Sequence, residues 1–222
     1  MIDGVATRVG PEAAVVIAER ELIVLSSAVV GGGFTRARAI VNVHVPKNFA
    51  CADAEQTVAA AARRLGVPAP WVGLLTGAWT ERAEIATASV DDVRALVMAT
   101  VGLSNPSAAG LTPRAESLPA TINTIVVVDA DPEAAALVNL VATVTEVKTD
   151  VLRAAGVRCH DGPVATGTST DAVVIAATGR GVRCRYGGPL TDLGWTAASA
   201  ARRALDNGVR RWLAERDGGT RG

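Results

Sequence analysis

A chain of 222 residues, 49% hydrophobic and 20% charged, is long enough to bury the core of one large domain or two small ones, and too apolar to be disordered. Its 22 Lys and Arg balance 22 Asp and Glu, and aromatic residues make up 3%. Neither a field that recruits nucleic acid or an acidic membrane nor a base-stacking platform is expected, so the partner predicted is a small molecule.

In chain order, Met1 to Val5 lack the basic start and apolar run of a signal peptide, and no uninterrupted apolar run of about 18 residues follows that could span a bilayer. Period-two or continuous β-branched runs predict strands over 13–18, 22–27, 39–45, 71–76, 83–88, 93–103, 122–129 and 172–177. Helical spacing predicts helices over 54–65, 132–155 and 193–215. Asp53 and Asp131 are the expected N-caps, Pro132 stands in a first turn, and Gly66 and Gly156 are stops. Gly31-Gly32-Gly33 leads into another strand rather than a helix, which predicts a tight hairpin and not a dinucleotide fingerprint.

The pattern recurs at an offset of 90 positions, pairing Gly66-Val67 with Gly156-Val157, Thr76-Gly77 with Thr166-Gly167, and Glu81 with Asp171. Asn42 and Asn123 correspond at a shorter offset. The expectation is an α/β (or α+β) fold with a mixed sheet, built from two related ββαβ-like halves, about 13–90 and 91–215, that form one core in a single domain over 1–222.

Cys51, Cys159 and Cys184 are odd in number and widely spaced, which suits reduced thiols and a cytoplasmic location, and they lack zinc-ligand spacing. His44 and His160 are the only histidines, and neither sits in a G-x-S-x-G elbow, so a Ser-His-Asp hydrolase is not expected. Lys148 is one of two lysines in the chain. On a helix at about 100° per residue it lies about 40° from Val144, inside the stripe of Leu137, Leu140, Val144, Val147 and Val151, whereas Glu146 lies about 200° away. A lysine there needs a partner or a task, because stripping its charge of water costs several kcal/mol. Two readings stand: a structural lysine whose ammonium reaches a surface, or one that holds a substrate carbonyl or activates a nucleophile. Asp171 is the best counter-charge, and Lys148, Asp171 and Glu146 are the catalytic candidates. Thr166, Gly167, Thr168 and Thr170 supply hydroxyls and backbone for directed hydrogen bonds, or form a self-capped turn. Asn42, Asn105 and Asn123 stand beside apolar strand residues, where an amide either cross-links backbone or binds a polar ligand.

Several segments, in order, resemble the adenosylcobinamide amidohydrolase family. They are Leu25-Ser26-Ser27-Ala28 with Gly32-Gly33, Ile40 to Lys47, Val101-Gly102-Leu103-Ser104-Asn105, Thr121-Ile122-Asn123-Thr124, Glu146-Val147-Lys148-Thr149, Ala165 to Asp171, and Tyr186-Gly187-Gly188 with Leu193-Gly194. The resemblance covers nearly the whole chain and adds Ser27, Gly32 and Ser104 to the candidate binding residues. It implies hydrolysis of the amide joining aminopropanol to a propionyl side chain of the corrin ring, giving adenosylcobyric acid. It further implies a corrinoid as the small-molecule partner, with cobalt present only in that substrate and neither cofactor nor metal otherwise required; a homo-oligomer is left open. Near the C-terminus the family has a histidine, a lysine and a glutamate where this chain has Leu190, Asp192 and Trp195. That departure leaves a non-catalytic corrinoid carrier or sensor, or an amidase for another large amide, as alternatives.

Overall fold

The computed structural model describes residues 1–46, 49, 51–114 and 121–219, without the side chains of Cys51 and 217–219. Lys47, part of one family-like segment, lies outside the described residues. The strands are β1 (Val5–Val9), β2 (Ala13–Ser26), β3 (Gly33–His44), β4 (Trp71–Thr76), β5 (Glu84–Val90), β6 (Val93–Val101), β7 (Pro106–Ser107), β8 (Ile122–Asp129), β9 (Asp131–Pro132), β10 (Gly167–Thr168), β11 (Ala172–Ala177) and β12 (Arg183–Cys184). Among the described residues three α-helices join them: α1 (Ala54–Arg64), α2 (Ala134–Ala154) and α3 (Asp192–Gly219).

Eight strands form one mixed sheet in the order β4-β3-β2-β11-β8-β6-β5, with β1 added to β2. The β3–β4 and β8–β11 pairs are parallel, each joined through a helix, and the remaining pairs are antiparallel. Alternation along the strands sets the layers. Ile125 and Val127 of β8 and Leu96 and Met98 of β6 share one buried cluster with Val16 of β2, Ile40 of β3 and Leu74 of β4, so two arms of the sheet face each other. Ile122, Val126 and Val128 point the other way, onto Leu137, Leu140 and Val144 of α2 and Leu205 and Val209 of α3. On the opposite outer face, Val58, Ala61 and Ala62 of α1 cover Val15, Val41 and Val43. The result is a four-layer mixed α/β arrangement with sheet arms inside and helices outside. Each fully buried Leu or Ile of these layers stabilises it by roughly 1.5–3 kcal/mol relative to exposure.

Strands expected over 71–76, 122–129 and 172–177 match β4, β8 and β11 residue for residue. Elsewhere the fold differs for identifiable reasons. The two strands expected at 13–18 and 22–27 are one, β2, whose register against β3 shifts between Ile17 and Leu22. The exposed run Glu19-Arg20-Glu21 breaks the alternation without ending the strand. Asp131 and Pro132 do not open α2. They pair in parallel with Arg183 and Cys184, and Glu133 N–H donates to Cys184 O at 2.9 Å, so the backbone is committed to a ladder and Glu133 takes the N-cap position. Gly31 (φ +67) and Gly33 (φ +90) turn the β2–β3 hairpin as expected. The 90-residue correspondence does not hold at Thr76-Gly77 and Thr166-Gly167, because Thr76 ends the parallel strand β4 whereas Gly167 precedes β11.

Candidate active site

Lys148 faces the sheet from α2, between the buried Val144, Val147, Val151 and Leu152, and is itself 8% exposed. Its ammonium meets Asp171, which the chain places immediately before β11. With the two side chains 10% and 11% exposed, desolvation of each charge is offset only by close pairing and further hydrogen bonds. Asp171 has those bonds. Oδ1 accepts from Ile122 N–H at 3.0 Å and from the Thr168 hydroxyl, and Oδ2 accepts from Thr168 N–H at 3.1 Å and from Lys148 Nζ. The loop comes this close because residue 167 is glycine. A Cβ there would stand 2.4 Å from Asp171 Oδ2 and 2.8 Å from Lys148 Nζ.

A buried amide network abuts this pair. Asn123 Nδ2 donates to Asn42 Oδ1 at 2.8 Å and to Leu75 O at 2.9 Å, and Asn42 Nδ2 donates to Thr100 Oγ1 at 2.9 Å. The Thr121 hydroxyl lies 3.1 Å from Asn123 Oδ1 and 2.7 Å from Thr170 O. Asn42, Thr100 and Asn123 share their strand faces with Ile40, Met98 and Ile125, so the network closes one end of the layer between the sheet arms.

Beside it opens a cleft of about 320 Å³. Ser27, Thr121, Asn123, Thr170 and Asp171 give it a polar wall, and Val29, Phe49 and Leu74 an apolar one. Few convergent polar groups against apolar lining is the usual make-up of a small-molecule site. A second cavity, of about 180 Å³, is lined by Trp79, Trp212, Arg82 and Ser104 and shares Gly77 with the first.

The predicted residues therefore divide. Lys148, Asp171, Gly167 and Thr168 form one cluster, and Ser27, Asn123 and Thr170 line the cleft beside it. Asn42 stands behind Asn123 rather than on the cleft wall. Thr166 braces the loop: its hydroxyl accepts from Ala109 N–H at 3.0 Å and its carbonyl accepts from Thr149 Oγ1 at 3.1 Å. Asn105 Nδ2 donates to Ser169 Oγ at 2.6 Å, holding the same loop from outside. Ser104 lies on the second cavity, and Gly32 is in the hairpin turn, where a Cβ would come 2.3 Å from Ala28 O. Glu146 is exposed on the far side of α2, in a groove with Asp150, Trp195 and Arg202, and makes no contact with the Lys148–Asp171 pair. Leu190 and Trp195 are 96% and 51% exposed near that groove, so the departures from the family pattern do not line the cleft. Thr121 and Phe49 were not among the candidates. Thr121 had a signal in its period-two spacing from Asn123, and Phe49 had none.

Comparison with known proteins bears on what the cluster belongs to. The family described as adenosylcobinamide amidohydrolase matches residues 3–217. A protein of Halobacterium salinarum named adenosylcobinamide amidohydrolase is 34% identical over 198 residues, covering 84% of this chain and 78% of its own. Among solved structures, the PH0078 protein from Pyrococcus horikoshii OT3 aligns with a TM-score of 0.46 at 12% identity, covering 93% of this chain and 83% of its own. A Burkholderia sp. beta-aminopeptidase aligns with a TM-score of 0.44 at 13% identity, covering 89% and 79%. The extent of the family match and the identity to the Halobacterium protein place this chain in the adenosylcobinamide amidohydrolase family, and make it an amidohydrolase.

Proposed function

We propose that the chain hydrolyses the amide joining aminopropanol to a propionyl side chain of the corrin ring in adenosylcobinamide, releasing adenosylcobyric acid. The observation that carries this reading is the Lys148–Asp171 pair, nine-tenths buried, whose carboxylate residue lines a cleft while Lys148 stands behind it. At about 320 Å³ the cleft takes the amide side chain and an edge of the ring, not a whole corrinoid. Ser27, Thr121, Asn123 and Thr170 offer hydrogen bonds to the amide and the aminopropanol hydroxyl, and Val29, Phe49 and Leu74 offer apolar surface to the ring edge.

Asp171 takes the proton of the attacking group, and Lys148 orients that carboxylate while offsetting the negative charge that develops on the tetrahedral oxyanion. Glu146 has no part, being across the helix. Cobalt enters only with the substrate, and the reaction needs no other metal.

The test is to incubate purified protein with adenosylcobinamide, with chelator and with added divalent metal, and to resolve the products by chromatography. Equal yields of adenosylcobyric acid under both conditions are expected. Tight binding without product would favour a corrinoid carrier instead. Neither binding nor product would leave an amidase for some other large amide.

A further inference from the structure

We propose that Thr168 is the nucleophile of this reaction, its Oγ1 attacking the amide carbonyl to form an ester with the corrinoid acyl group. The proposal rests on the hydrolase reading above and names the group that attacks. Hydroxyls lining the cleft, and those of Thr168 and Ser169 just behind Asp171, differ in what they meet. Ser27 Oγ accepts from Val173 N–H at 3.0 Å, Thr121 Oγ1 lies against the Thr170 carbonyl, and Ser169 Oγ is held by Asn105 Nδ2. None of these partners is a base. Thr168 Oγ1 instead donates to Asp171 Oδ1, while Lys148 occupies Oδ2 of the same carboxylate. That is a nucleophile, a base in hydrogen-bond reach, and a third group orienting the base.

The loop holds this order in place. Thr168 N–H also binds Asp171, so backbone and side chain are anchored to one carboxylate, and β-branching limits the hydroxyl to few rotamers. A second hydroxyl–carboxylate pair, Thr178 Oγ1 to Asp129 Oδ1 at 2.8 Å, lies at the other end of β8, where Arg180 and Arg94 face the carboxylate and no part of the cleft is near. That pair borders a different cavity, of about 290 Å³, walled by the charged Glu19, Arg20, Glu21 and Arg180, whereas the Asp171 pair meets, through Asp171, the cleft with the apolar wall.

The steps balance without a co-reactant other than water. Oγ1 bonds to the carbonyl carbon as its proton passes to Asp171 Oδ1. The tetrahedral intermediate collapses as Asp171 returns that proton to the amide nitrogen, the C–N bond breaks, and aminopropanol leaves as the free amine. Water then attacks the ester, giving its proton through Asp171 back to Thr168 Oγ1 and releasing the corrinoid carboxylic acid.

Three measurements on the full chain test this. Aminopropanol release is followed for wild type, Thr168→Val and Thr168→Ser, and wild-type turnover is repeated in rising hydroxylamine. Expected are a loss of at least ~10³-fold in Thr168→Val with adenosylcobinamide still bound, retention within about tenfold in Thr168→Ser, and a corrinoid hydroxamate that grows with hydroxylamine. Thr168→Val turning over within tenfold of wild type overturns the proposal. So does wild-type turnover that gives only the acid at every hydroxylamine concentration, since water then attacks directly and Thr168 merely positions Asp171. Absence of wild-type aminopropanol release would instead remove the hydrolase reading on which the proposal stands.

Discussion

Replacing Lys148 by methionine keeps an unbranched stem of similar length and removes the ammonium. Asp171, 11% exposed, is left without its cation. Breaking a buried pair by removing one partner costs about 3–5 kcal/mol, chiefly through the charge left behind. Here the carboxylate keeps the Ile122 and Thr168 N–H groups and the Thr168 hydroxyl, so the low end, ~3 kcal/mol, is expected. For a chain of this size that corresponds to a fall of ~6–12 °C in melting temperature. The double variant Lys148→Met with Asp171→Asn should recover part of the loss, with a coupling energy within the ~0.5–3 kcal/mol found for contacting residues. Calorimetry gives the stabilities, and aminopropanol release at 25 °C, where the variant is still folded, gives turnover. A fall of ~10²–10³-fold in kcat is expected with corrinoid affinity largely kept. A Lys148→Met protein that melts within a degree of wild type and turns over normally would refute both the energetic and the catalytic reasoning.

Gly167→Ala puts a Cβ 2.4 Å from Asp171 Oδ2, so it should separate the pair and cost at least ~10²-fold in turnover, measurable as kcat beside an unchanged far-ultraviolet spectrum. Asn42→Ala removes one of the two acceptors of Asn123 Nδ2 and the donor to Thr100 Oγ1 in a buried network, and should lower stability by ~1–3 kcal/mol in urea unfolding, a loss Thr100→Ala alone should not match. At Asp129 burial pushes the carboxyl up, but hydrogen bonds from Arg180 and Thr178 and the charges of Arg180 and Arg94 outweigh it and hold the group below the usual carboxylate range. A depressed folded-state value contributes stability that is present above the unfolded carboxylate value, near 3.9, and lost as pH falls through the folded one. Asp129→Asn should therefore destabilise by ~1.5 kcal/mol at pH 7, and the gap to wild type should close in acid; a gap that stays constant down to pH 2 would contradict this.

The sequence makes some of this site legible and hides the rest for physical reasons. β8 over 125–128 and β11 are continuous apolar, largely β-branched runs because both their faces are covered, so their positions can be read directly. β1 escapes because its VATRV run lies half-exposed, paired only along β2, and carries too few apolar residues for a pattern. The helical wheel alone puts Lys148 inward and Glu146 outward, and Asp171 follows as the counter-charge that structure and sequence agree on. The Asn42–Asn123 bond spans 81 residues and exists only because the sheet folds its two arms together, which no local periodicity encodes. Gly32 illustrates the converse: it stands in a family-like segment, yet its absent Cβ is explained by the Ala28 carbonyl.

The most direct measurement is a crystal structure of the Asp171→Asn protein with adenosylcobinamide bound. The aminopropanol amide should lie in the cleft between Ser27 and Thr121, its carbonyl carbon about 3–3.5 Å from Thr168 Oγ1, with most of the corrin ring outside. An amide seated instead in the Trp79–Trp212 cavity, or in the groove beside Glu146 and Trp195, would contradict the assignment of this cleft.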